Sequence, residues 1–188
     1  MELLLLKPTS AISKSKSPKG MNATMEILMA SWGMIALALF IITGSLPLMV
    51  RVGFSFVAFA VGVLSTIFYG FLLQVIITNL SGRGQFYHGV TALTFAKFQV
   101  AVGILIACVL LHLGILGVFL AVITSLFFVM NAISTLFRAV KEFFAVDTLT
   151  SLIGIGILVA GTVITFYAIL IGTFTVNQGN FLNYFSVF

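Results

Sequence analysis

The sequence predicts an all-α integral membrane protein, a bundle of about five transmembrane helices behind a basic, flexible N-terminal tail. Three observations carry that expectation. Of 188 residues, 61% are hydrophobic and 7% charged, with a mean hydropathy of +1.27, whereas an ordinary soluble domain carries roughly 25% charged residues. Nearly everything after Met25 lies in apolar runs that match a spanning helix, which needs about 20 residues to cross ~30 Å of hydrocarbon. Those runs lack the period-two alternation of a transmembrane barrel strand, which leaves helices as the way to satisfy backbone hydrogen bonds in lipid.

Taken in order, residues 1–24 form the tail, with Lys7, Lys14, Lys16 and Lys19 among Ser, Pro and Gly and only Leu3 to Leu6 apolar. A membrane bundle of residues 25–174 follows. Its first span is about 27–47, ended by "GSLP", where Pro47 cannot continue a helix comfortably and Arg51 marks the interface. The second span runs about 53–79. "SGRGQFYHG", Ser81 to Gly89, then reads as a connecting loop, without the Gly-Lys-Ser/Thr ending of a phosphate loop. From Gly89 to Phe137 the sole charge is Lys97, and these 49 residues are too many for one crossing, so the chain must fold back. "HLGILG", 112–117, is the best place for the break, giving spans at about 92–112 and 116–137. "RAVKEFFAVD", 138–147, concentrates four charges and reads as a surface turn before a fifth span at about 149–173. Residues 175–188 are a neutral, aromatic tail.

With five spans, one side of the membrane collects the four tail lysines, Arg83, Arg138, Lys141 and the nearby Lys97. The other side holds Arg51 alone, a ratio of eight to one. The positive-inside rule then places the amino end in the cytoplasm and the carboxyl end outside, in the cell membrane. The same rule accounts for the net charge of +5 without a nucleic-acid partner. Asn22-Ala-Thr and Asn79-Leu-Ser are glycosylation-type triplets, but such triplets arise often by chance and Asn79 sits against the membrane.

Chemistry is sparse. The four acids, Glu2, Glu26, Glu142 and Asp147, all fall outside the spans, which argues against proton or ion coupling through this chain alone. His88 and His112 bracket the third span, too far apart to share a metal, and the lone Cys108 reads as a small buried residue. No catalytic residue, cofactor or metal site is expected, and the chain is not read as an enzyme.

Packing signals are clearer. Ala58, Gly62, Thr66 and Gly70 recur every four residues and form a shallow groove for close helix approach. Gly103 with Ala107 and Gly156 with Ala160 are weaker versions. Gln74, Gln99 and Asn131 lie at similar distances from the expected cytoplasmic ends of their spans. With Lys97 snorkelling beside them, they could form one polar layer. Arg83, Tyr87 and His88 suit interface anchors, rings at headgroup depth and Arg83 near lipid phosphate.

In hydrophobic spacing the hairpins "WGMIALALFIITG" and "VGILIACVLLHLG" resemble hairpin-repeat membrane proteins of the acid-stress HdeD type. That family has six spans, and no residue role is carried over. Two function classes fit the chain: a non-catalytic structural or accessory subunit that packs against lipid and other membrane protein subunits, or a small transporter for an uncharged or anionic solute.

Overall fold

A computed structural model describes residues 20–81, 84–164 and Tyr167. The basic tail through Lys19, Arg83 and the aromatic tail at 175–188 lie outside the described residues. Those described are helical, with no strand among them. In chain order α1 is Gly20–Ile42, α2 Leu48–Ser81, α3 Phe86–Leu110, a 3-10 turn Leu111–Leu113, α4 Gly114–Phe144 and α5 Thr148–Ile164. Three stretches are long and apolar enough to cross a membrane: Met21–Ile42, Leu48–Ser81 and Tyr87–Phe144.

Side-chain contacts give the directions. Trp32 meets Thr66 and Phe40 meets Arg51, so α2 runs back along α1. Thr24 meets Thr91 and Ala38 meets Cys108, so α3 runs parallel to α1. Gly103 abuts Phe128 and His88 stacks on Phe143, so the 58-residue stretch is a hairpin, α4 returning along α3. The reversal falls in the expected "HLGILG" segment. Leu111–Leu113 tightens into a 3-10 turn, and Gly114 takes φ +68°, a left-handed value that a side chain would disfavour. On its other side α2 carries α5, with Gly154 against Ile77.

The core sits toward the end where α2 meets α3 and α4 meets α5. Leu73, Ile77, Phe95, Phe98, Val140, Phe143, Phe144 and Leu158 belong to one buried cluster. Outward faces stay apolar: Phe54, Val61, Leu64 and Phe68 on α2 are exposed, as are Ile115, Phe119, Ile123 and Phe127 on α4. A soluble monomer rarely shows such continuous apolar area, but a surface bathed in lipid must.

Three boundaries differ from the sequence reading. First, α1 begins at Gly20, inside the segment assigned to the tail, and ends at Ile42 in place of residue 47. The Pro47 carbonyl accepts the N–H groups of Val50 and Arg51, so the proline opens α2 as well as closing the turn. Second, helix α3 starts at Phe86, which makes Tyr87, His88 and Gly89 its first turn and shortens the connection to residues 82–85. Gly84, just before the helix, has φ +148°, a value that favours glycine. Third, α4 continues through Phe144. Its charged end is amphipathic, with Arg138 and Glu142 exposed and Ala139, Val140, Phe143 and Phe144 buried. The surface turn contracts to Ala145–Asp147, with Ala145 left-handed at φ 51°. The described part of α5 ends at Ile164, so the far end of the expected fifth span lies outside the described residues.

Candidate functional site

The small-residue row on α2 is inside the bundle. Gly62, Thr66 and Gly70 are buried and Ala58 is half-buried. The buried face then continues through Leu73 and Ile77, not Gln74 and Thr78. Steps of four residues overshoot the 3.6-residue turn by about 40° each, so a long row rotates off the face.

Two other helices fill this groove. A Cβ on Gly62 would collide with the Trp32 ring of α1. On Gly70 it would meet the Val90 backbone of α3, and on Gly89 it would strike the Gly70 carbonyl oxygen. Glycines therefore face each other where α2 and α3 cross, and the backbones touch because neither carries a side chain. The weaker small-residue pairs divide. Gly103 abuts Phe128 and is buried, while Gly156 has open space before it and Ala160 is exposed. Gly154, two residues earlier, is the packing glycine of α5.

Trp32 links the groove to Lys97. Its indole N–H donates to Thr66 Oγ1 at 2.9 Å, and the Thr66 hydroxyl donates to the Gly62 carbonyl at 2.9 Å. The Lys97 ammonium lies 4.5 Å from the Trp32 ring centroid, within cation–π range. Because α3 begins at Phe86, Lys97 is its twelfth residue of 25, at mid-helix and not near its start. Sequence reasoning placed it shallower and missed Trp32 altogether. The pairing joins residues 34 apart and depends on how α1 crosses α2, which no local pattern encodes.

The expected polar layer separates. Gln99 is buried and Asn131 half-buried. The Gly103–Phe128 contact puts these two at neighbouring levels of the α3–α4 hairpin. Gln74 lies beside Gly89, ten residues and about 15 Å of helix rise before Gln99. Tyr87 and His88 likewise turn toward protein. The His88 ring packs 4.4 Å from Tyr87, stacks on Phe143 at 5.6 Å and meets Phe144 edge-on at 5.7 Å. These contacts tie the start of α3 to the end of α4.

Other polar groups secure helix ends. Arg51 donates from Nη2 to the Phe40 carbonyl at 2.7 Å and from Nε at 3.2 Å, and its guanidinium lies 4.0 Å from the Phe40 ring. It thus caps the Phe40 carbonyl in the last turn of α1. Asp147 caps α5, its Oδ1 accepting the Thr150 N–H at 3.2 Å. Hydrogen bonding to Thr150 holds the Asp147 carboxyl below its ordinary value.

Among the described residues no group of three or more His, Cys, Asp and Glu side chains comes together. An apolar cleft of about 340 Å³ lies between α2 and α5, lined by Phe68, Tyr69, Leu72, Ile157, Gly161 and neighbours. Compared with known protein families, curated proteins and solved structures, this chain matches none.

Proposed function

We propose that this chain is a non-catalytic membrane module, a structural or accessory subunit of a larger membrane protein complex. In this reading it crosses the cell membrane five times, with its amino end in the cytoplasm. The observation that carries the role is where the packing features point. The Gly62–Thr66–Gly70 groove is filled by the chain's own Trp32 and Val90, while broad apolar faces of α2 and α4 are left for lipid and neighbouring subunits. Small residues build the module and large apolar ones meet its surroundings.

Charge placement supports the orientation. Arg138 and Lys141 belong to the end shared by the 82–85 connection and the Ala145–Asp147 turn, and Arg51 belongs to the opposite end. With Lys97 at mid-helix, the four tail lysines, Arg83, Arg138 and Lys141 still stand seven to one against Arg51, which favours a cytoplasmic amino end.

Mild extraction from the native membrane followed by native-mass measurement tests the role. The chain, 20.2 kDa alone, is expected in an assembly with other membrane subunits, and Gln99→Leu should leave the activity of that assembly within a few-fold. Extraction as a free chain that transports a solute saturably after purification would overturn the reading.

A further inference from the structure

We propose that Lys97, with the Thr94 hydroxyl one turn before it, forms an intramembrane site for the carboxylate of a lipophilic acid. The site stands independently of any role in a larger assembly. An ammonium at the middle of a spanning helix is expensive to keep, and such groups mark binding sites or conduction paths by default. Lys97 occupies that depth on α3. The Trp32 ring attracts the charge from one side, but an ammonium has three N–H donors and the indole N–H, itself a donor, can accept none of them. The described carboxylates, Glu26, Glu142 and Asp147, are all on the exposed surface.

Thr94 supplies the second, independent observation. It is wholly buried, and its hydroxyl has no hydrogen-bond partner, an arrangement that costs free energy unless something bonds to it. Three residues apart on a helix, Thr94 and Lys97 lie on the same side of α3. A carboxylate has two oxygens, one for the ammonium and one for the hydroxyl. One fixed positive charge selects a monoanion, since a second negative charge would stay unneutralised in lipid. Val100 and Ile104, one and two turns further on along that side, are apolar and only half-buried, which suits a hydrocarbon body entering from the lipid.

Trp32 is the only tryptophan, so it reports on this place alone. The full chain in nanodiscs of saturated phosphatidylcholine is titrated with α-bromododecanoate, whose bromine beside the carboxylate quenches indole on contact. Saturable quenching is expected, with apparent affinity weakened about tenfold or more in Lys97→Met and retained in Lys97→Arg. Thr94→Val, which keeps the shape of a residue that loses no bond within the protein, should weaken it several-fold and carries the test if Lys97→Met does not fold. The methyl ester should quench only in proportion to its concentration in the membrane. Equal quenching by acid and ester, the same affinity in Lys97→Met as in the natural sequence, or no change in Thr94→Val would overturn the site.

Discussion

A Gly62 side chain has nowhere to go. The Trp32 ring that occupies the space is held on one side by its bond to Thr66 and carries the Lys97 ammonium on its face, so it cannot swing aside. Gly62→Ala should therefore destabilise the bundle by about 1–3 kcal/mol, the usual range for overpacking. Gly156→Ala enters open space and should be neutral or stabilising by about 0.5–1 kcal/mol, because alanine loses less freedom in a helix. Thermal unfolding of both variants in one detergent measures the difference, and equal effects would contradict the packing described. At this scale the sequence is half legible. The groove can be read because its period is local, whereas Trp32 cannot, and neither can the choice of Gly154 over Gly156 as the packing glycine. Both depend on which face of a uniformly apolar helix turns inward.

Helix ends carry most of the discrepancy between sequence and structure. Polar and glycine-rich residues look like loop, yet Gly89 lies within α3 because the crossing with Gly70 needs a residue without Cβ. The charges of 138–144 look like a turn, yet they mark one face of an amphipathic helix end. One misplaced end shifts every depth estimate along its helix, which is why Gln74 and Gln99 seemed level and Lys97 seemed shallow. The start of α5 offers a test of a single end. Asp147 accepts from Thr150 when ionised, and its folded carboxyl titrates below the ordinary value of 3.8. A depressed value means that the capping contribution is complete above the unfolded value and is lost as pH falls through the folded one. Amide exchange at Thr150 and Ser151 should therefore quicken, relative to mid-helix amides, only below the ordinary carboxyl range. In Asp147→Ala it should be fast at neutral pH too, and a pH-independent rate in the natural sequence would contradict the cap.

For the whole molecule, the alternation of apolar stretches and turns was readable because lipid sets a minimum length for each crossing and the uncharged run from 98 to 137 exceeds it. A five-crossing bundle requires the hairpin of α3 and α4 to span the bilayer, bringing His112 to the face opposite Gln85 and Ala145. The most direct measurement is labelling by a membrane-impermeant maleimide in intact cells, in a Cys108→Ala background that removes the one native thiol. Single changes are made at Ser45, Gln85, His112 and Ala145, each to cysteine. Ser45→Cys and His112→Cys should label from outside, and Gln85→Cys and Ala145→Cys only after the membrane is opened. Labelling of His112→Cys from the same side as Gln85→Cys and Ala145→Cys would contradict the five-crossing bundle.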